Sequence, residues 1–424
     1  MAFLYLTLGF LDCIVRGGVD MDKVIFHVDV NSAFLSWEAV HRLQQGETLD
    51  LREIPSAVAG DQNKRHGIIL AKSTLAKQYG VQTGEPIVDA LKKCPNLTLI
   101  PPSHHLYSEY SKAFTDILSE FSPSVEKCSI DEAYCDMTGM DALFGPPVTA
   151  AYRIKDRIHN ELGFTVNVGI SNNKLLAKMA SDFRKPDRVH TLYPEEIPTK
   201  MWPLPVGELF FVGKSTVKKL NTLGIYTIGE LAKTDAELLK AHLKKHGEVI
   251  HCFANGIDAS VISTEEVKNK GYGNSTTIAF DVEDESTAKM ILLSLAETVA
   301  SRLRNDDMMA NVVSVSIVDS EFRHSSHQTT LLSPTHRTDE IHKAACMLFD
   351  ELWEGAPIRN LGIQTSKVVS DDTARQMNLF SFETDEKREK LDHAIDKIRD
   401  RFGASAIQRA SLYKKTGQEK NNKE

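Results

Sequence analysis

What this chain of 424 residues lacks narrows its function before any motif is considered. It has no basic excess: 50 lysines and arginines stand against 58 aspartates and glutamates, a formal charge of −8 at pH 7. That balance excludes a protein that gathers nucleic acid or anionic membrane by its overall field, so any phosphate-binding surface has to be a local cluster. Long hydrophobic runs are missing too. No apolar stretch reaches the length of a bilayer-spanning helix, and no membrane attachment is expected. Cysteine is scarce. Cys13, Cys94, Cys128, Cys135, Cys252 and Cys346 are scattered without a Cys-x-x-Cys pair or zinc-like spacing, which excludes a disulfide framework and fits a reduced, cytoplasmic chain. Residues 1–20 are apolar but have neither a basic leading region nor a small-residue cleavage site, so they do not read as a signal peptide. Met21 is the expected natural start. Arg16-Gly17-Gly18 fits the in-frame translation of a purine-rich ribosome-binding site, and the extension is expected to be poorly ordered.

What is present starts with length and apolar content. At 42% hydrophobic residues the chain can bury several compact domains. The stretch Cys128 to Asp136 organises the rest. Val125–Ser129 and Ala133–Met137 read as two short strands, with the adjacent carboxylates Asp131 and Glu132 at or beside the turn between them. Crowded carboxylates repel unless a cation neutralises them, and Mg²⁺ is suited to one or two carboxylates plus substrate phosphates. A solvated acidic turn is the alternative. A third carboxylate comes from Val24–Val30, a β-branched, apolar run that reads as a buried strand with Asp29 at its carboxyl end. Asn31-Ser32 then offers helix N-cap chemistry ahead of a helical period over Ala33–Val40.

The strand ending in Asp29, the Ser129-Ile130-Asp131-Glu132 hairpin and the segment Val168–Lys178 follow one another as the palm motifs of the Y-family (translesion) DNA polymerases do. The chain resembles that family over roughly residues 21–368. The resemblance implies an α+β, right-hand architecture. Residues 21–32 and 103–192 would form a ferredoxin-like βαββαβ palm, 33–102 small fingers and 193–262 a helical thumb with a helix–hairpin–helix. A linker over 263–274, a second βαββαβ little-finger domain over 275–369 and a tail over 370–424 would follow. It also implies low-fidelity, template-directed addition of deoxynucleotides to a primer 3′-hydroxyl in DNA damage tolerance. Asp29, Asp131 and Glu132 would be the catalytic carboxylates. With the Val30 carbonyl they would hold two Mg²⁺ ions.

Further roles come by the same resemblance. Phe34, five residues after Asp29, would be the steric gate against a ribose 2′-hydroxyl; an ordinary core aromatic is the alternative. Thr74 and Lys77 stand where the family commonly has Tyr and Arg as triphosphate ligands, and Lys lacks the bidentate fork of Arg. Val58, Ile68, Leu70 and Gly84 would face the nascent base pair, or be strand core. Lys185 of Lys185-Pro186-Asp187 would touch the incoming triphosphate, whereas Lys174 and Lys178 read as solvated surface. In Phe211–Leu220 the hairpin residues Gly213, Lys214 and Ser215 would hold a DNA phosphate at a helix N-terminus, although the usual first glycine is replaced by Phe210-Phe211. Lys214, Lys218, Lys219, Lys240, Lys244 and Lys245 supply a local basic surface. In the second βαββαβ repeat, Val313, Val315 and Ile317 alternate with Ser314 and Ser316, leaving one polar sheet face to lie on a nucleic-acid backbone. Gln376-Met377-Asn378-Leu379-Phe380 is similar to the bacterial sliding-clamp binding peptide, with Gln376 and Met377 leading to the anchors Leu379 and Phe380. The expected partners are primer–template DNA, deoxynucleoside triphosphates and the clamp, with a monomeric chain. A helix over Asp385–Arg401 has no assigned role. Two other readings stay open here. A nucleotidyl cyclase would leave the thumb hairpin and clamp peptide unexplained, and a clamp-bound DNA scaffold would leave the three carboxylates without purpose.

Overall fold

The computed structural model of the protein describes residues 22–61, 67–265, 268–373, 382–403 and 405–413. They fall into two compact units, one up to Glu265 and the other beyond it. The extension over residues 1–20 and the peptide Gln376–Phe380 lie outside the described residues.

The first unit is built on β1 (Ile25–Val30), every residue of which is buried. Because side chains alternate along a strand, Phe26, Val28 and Val30 pack into one core with Trp37, Phe114 and Val166. Ile25, His27 and Asp29 face the other way. The helix α1 (Ala33–Gln44) follows, but the expected cap is not made. Ser32 adopts a left-handed conformation (φ 48°, ψ 49°) and its side chain caps nothing. The reason lies in the exit from β1. Val30 N–H still donates to Asp131 O and Asn31 N–H to Thr165 O, both at 3.0 Å, so the chain must turn abruptly into the helix. Ser36 Oγ instead donates to the Asn31 carbonyl at 2.6 Å.

Next come β2 (Ser56–Ala59), β3 (Ile69–Lys72), α2 (Thr74–Gln78), α3 (Ile87–Lys93) and β4 (Thr98–Ile100), forming a three-stranded sheet in the order β3-β2-β4. Its own core packs Ala57, Ala59, Ala76 and Ala90 with Ile69, Val81, Ile87 and Leu97. Ser73 caps α2 by accepting from Ala76 N–H at 3.0 Å, and Gly80 ends the turn at φ +79°.

The chain then runs through α4 (His104–Phe121), β5 (Val125–Lys127), β6 (Glu132–Asp136), α5 (Asp141–Phe144), α6 (Pro147–Leu162), β7 (Val166–Ser171), α7 (Lys174–Asp182) and β8 (Val189–Thr191). The strands make a five-stranded sheet in the order β5-β6-β1-β7-β8. α4 and α6 cover the Phe26 face, completing the expected βαββαβ arrangement. α7 covers the face of His27 and Asp29 and lies unusually close to β7: a Cβ at Gly169 would stand 1.9 Å from the Ala177 carbonyl oxygen. Beyond β8 the unit is helical: α8 (Lys214–Thr222), α9 (Ile228–Lys233), α10 (Ala236–Leu243) and α11 (Lys245–Ala254).

The second unit repeats the βαββαβ plan with β9 (Gly273–Val282), α12 (Glu285–Asn305), β10 (Met308–Asp319), β11 (His324–Thr335), α13 (Thr338–Leu352) and β12 (Ile358–Ser370). Its sheet order is β11-β10-β12-β9. Val313, Val315 and Ile317 are buried under α12 and α13, and Ser314 and Ser316 are half-exposed on the opposite face. β9 begins inside the stretch read as linker, because Tyr272 and Thr365 already exchange backbone hydrogen bonds (3.2 and 2.6 Å). A further helix, α14 (Phe382–Phe402), is fastened to this unit mainly by charge. The buried Arg304 donates to Asp396 at 2.6 Å and Asp392 at 3.3 Å, while Arg399 and Arg409 reach Glu297. Among the described residues no helix is long and apolar enough to cross a membrane.

Candidate active site

Asp29 and Glu132 are register partners on β1 and β6, so the two carboxylates stand side by side at one end of the sheet. Asp131 occupies the turn before β6, fixed by Ser129 Oγ donating to its Oδ1 at 2.6 Å and by Val30 N–H on its carbonyl. The structure thus brings Asp29, Val30, Asp131 and Glu132 together.

Two lysines balance them. Lys185 Nζ donates to Asp29 Oδ2 at 2.9 Å and also pairs with Asp182 at 2.8 Å. Lys178 Nζ donates to Glu132 Oε1 at 2.8 Å. Lys178 is largely buried, and so is Lys174, which pairs with Glu126 at 2.7 Å and lies over the Tyr134 ring. This corrects the reading of both as solvated surface: α7 packs so close to β7 that its lysines are directed over the sheet end rather than into solvent.

The electrostatics divide the pair. Burial pushes the Asp29 carboxyl up, the Lys185 ammonium draws it back and neighbouring Glu132 adds to the rise, leaving it at about 7. Burial also acts to raise Glu132, but the Lys178 ammonium donating to it outweighs burial and holds that carboxyl well below its ordinary value. Burial in turn lowers the pKa of His27. Ser181 Oγ donates to the Lys178 carbonyl at 2.8 Å, which leaves it an acceptor for His27 Nδ1–H at 2.7 Å. Asp29, Asp131, Glu132 and Asp182 therefore face two lysines and a histidine biased to neutrality. A surplus of oxygen donors with that sign of charge fits divalent cations such as Mg²⁺.

Phe34 stacks on Tyr107 (4.4 Å between centroids, 12° between planes) with Trp37 and His104 beside it. It is only half-buried, unlike fully buried Trp37, so one part of the ring faces out of the core. Tyr107 is anchored by donating from its hydroxyl to Glu38 at 2.8 Å. Ile68 and Gly84 are exposed and Leu70 is half-buried. Val58 is fully buried against Leu35 and Ala71, so it is strand core and not part of any base-pair surface. Thr74 and Lys77 are exposed on α2, and the charge of Lys77 adds to burial in lowering the pKa of nearby Lys72. Gly213 is the N-cap of α8 with no side-chain cap, so the N–H groups of the Lys214-Ser215 turn are not covered by a capping side chain. Where the usual first hairpin glycine is absent, Phe211 itself takes the left-handed conformation (φ 74°), held by its packing on Phe210 and Phe253.

Three contributors were not singled out in the sequence. His27 could have been, since it lies two residues before Asp29 on a buried strand and so shares its face. Ser181 and Asn167 had no such signal. Asn167, the register partner of Asp29 on β7, donates to the Ser181 and Arg184 carbonyls (2.9 and 2.8 Å) and accepts from Arg188 N–H, bracing the loop that carries Lys185.

Comparison with known proteins agrees with this arrangement. Residues 28–182 match the impB/mucB/samB family, residues 269–379 its C-terminal domain, and residues 194–225 the IMS family HHH motif. In fold the chain is similar to a Y-family DNA polymerase chimera, Dbh-Dpo4(243-245)-Dbh, with a TM-score of 0.71 and 21% identity over 82% of this chain and 99% of that one. The chain belongs to the impB/mucB/samB family, the bacterial Y-family DNA polymerases. Within the family it is similar to DNA polymerase IV of Clostridium acetobutylicum, 48% identical over 93% of this chain and 99% of the relative. It is also similar to DNA polymerase IV 2 of Bacillus subtilis, 39% identical over 94% and 96% of the two chains. The cyclase and scaffold readings fall away with that membership.

Proposed function

We propose that this chain is a translesion DNA polymerase in which Asp29, Asp131, Glu132 and the Val30 carbonyl hold two Mg²⁺ ions at the end of the palm sheet. The observation that carries the reading is the opposition of Asp29 and Glu132 across β1 and β6, with Asp131 in the adjoining turn. When bound, the ions supply a lower pKa for the primer 3′-hydroxyl and neutralise the triphosphate. The chain's own residues do the rest. Lys185, now on Asp29, turns to the triphosphate, with Thr74 and Lys77 approaching it from the fingers. Lys178 keeps Glu132 ionised and oriented. Phe34, backed by Tyr107, bars a 2′-hydroxyl.

On this reading the five-stranded sheet is the palm, residues 33–102 are the fingers and the helices beyond β8 are the thumb. Its α8 turn at Gly213, Lys214 and Ser215 holds a template phosphate. The second unit is the little finger, lying on the DNA backbone through its Ser314/Ser316 face. Gln376, Met377, Leu379 and Phe380 dock a monomeric, cytoplasmic polymerase on the sliding clamp. Low fidelity follows from fingers too small to judge base-pair shape closely. The test is primer extension with Asp131→Ala. Nucleotide addition is expected to fall by orders of magnitude while primer–template affinity is retained, because DNA is gripped by lysines elsewhere. Extension at the normal rate would overturn the assignment.

A further inference from the structure

In the second unit, away from the carboxylates of β1 and β6, four side chains from three separate segments converge. His336 follows β11, Asp371 follows β12, and Glu389 and His393 stand one turn apart on α14, where residues four apart share a face. The donor atoms of His336, Glu389 and His393 all lie within 4.8 Å of one another. His336 Nε2 lies 3.3 Å from Asp371 Oδ1 and 3.3 Å from Glu389 Oε1.

We propose that His336, Glu389 and His393 form a structural site for a first-row divalent ion of the zinc class, with Asp371 against His336, which fastens α14 to the four-stranded sheet. The spacing is the first argument. Direct charge-assisted N–H···O contacts close to about 2.7–2.9 Å, and one N–H does not serve two carboxylates at full strength. By contrast, ligands about 2.0–2.1 Å from a tetrahedral ion are about 3.3–3.4 Å apart, the separation His336 Nε2 keeps from both carboxylates. Donor chemistry is the second argument. Two imidazoles with a carboxylate suit Zn²⁺ and its neighbours, whereas Mg²⁺ and Ca²⁺ take oxygen.

Rigidity is the third. His336 is fully buried, and its carbonyl accepts from Arg304 Nη1 at 2.8 Å. The same guanidinium binds Asp392 and Asp396 of α14, so one residue sets the distance between the histidine and the helix that brings the other ligands. Asp371 is fixed by its N–H on the Asp307 carbonyl at 2.9 Å. In the sequence Asp371 and Glu389 lie on either side of Gln376–Phe380, so the ion would secure both flanks of that peptide; the site itself does not depend on the clamp reading.

The test uses the full chain, stripped with a chelator and titrated with Zn²⁺, then with Co²⁺ for its tetrahedral visible bands, in excess Mg²⁺. The same titrations in an Asp131→Asn background remove any uptake at the catalytic carboxylates. One equivalent is expected to persist in that background. His393 is exposed, so His393→Ala leaves the fold intact by circular dichroism. It should weaken binding by more than the ~10–100-fold that losing a mere orienting partner costs. Glu389→Gln should weaken it as well. Absence of the equivalent in the Asp131→Asn protein, or unchanged affinity in both His393→Ala and Glu389→Gln, would overturn the proposal.

Discussion

Removing the Lys185 ammonium should shift the pH at which the polymerase takes up its catalytic cations. Asp29 stands at about 7 against an ordinary 3.8, a difference of about 3, or roughly 4 kcal/mol acting against its charged form. A carboxyl whose value is raised by folding contributes stability when protonated. That contribution is complete below 3.8 and is lost as pH rises through about 7. Glu132, depressed below its ordinary 4.5, has the opposite sign: its contribution is present above 4.5 and lost only as pH falls below it. Between about 4.5 and 7, therefore, Asp29 governs the response of the metal-free site. A divalent cation competes with the Asp29 proton, so apparent Mg²⁺ affinity should fall about tenfold per pH unit below 7 and level off above it.

Lys185→Gln deletes the interaction that draws Asp29 down, so the bend should move to higher pH, whereas Lys185→Arg should leave it near 7. Single-nucleotide extension at sub-saturating Mg²⁺, followed between about pH 5.5 and 9, reads the bend in kcat/KM. Calorimetry in buffers of different ionisation enthalpy counts the proton released. Because Lys185 is also proposed to meet the triphosphate, a uniform loss of rate would not be informative; the position of the bend is. A Lys185→Gln profile lowered at every pH but bending at the same point would refute the electrostatic account.

Two other perturbations test the proposed gate and the proposed clamp peptide. Phe34→Ala should lose roughly 0.5–1.5 kcal/mol of aromatic stacking on Tyr107, and should relax rejection of an added hydroxyl by on the order of 10²-fold. The ratio of ribo- to deoxynucleotide kcat/KM checks this, and an unchanged ratio would make Phe34 a packing residue only. Replacing Leu379 and Phe380 together with Ala should remove clamp binding and clamp stimulation, at roughly 2 kcal/mol or more per anchor, while activity on a bare primer–template stays the same. Clamp response in the double variant would end the partner assignment.

Much of this was legible from residue type and period. A β-branched run ending in Asp29 is a strand because its apolar side chains need two buried faces, and Val313, Val315 and Ile317 declare their sheet face by alternation alone. The clustering of Asp29, Asp131 and Glu132 was legible because one acid ends a buried strand and the other two fall at the hairpin turn, the pattern a hard cation would need. Their lysine partners were only half legible. Lys185 was flagged by its Lys-Pro motif, but Lys178 reaches Glu132 only because α7 rests on Gly169, a contact between segments that no local pattern reports. Ser32 misled for a related reason. Its residue type favours capping, yet hydrogen bonds from Val30 and Asn31 to distant segments override local preference. Phe211 in a glycine conformation shows the reverse case, where ring packing on Phe210 and Phe253 outweighs a backbone preference of about 1–2 kcal/mol.

The approach of α7 to β7 at Gly169 also leaves one part of the first unit without freedom to slide. With no space for even a methyl group between them, strand and helix have no room to slide, so the ledge bearing Asp29, Lys178 and Ser181 moves as one stiff piece. Beside the three-stranded sheet Gly80 and Gly84 leave open space, and its core mixes Ala57, Ala59, Ala76 and Ala90 with Ile69, Val81, Ile87 and Leu97.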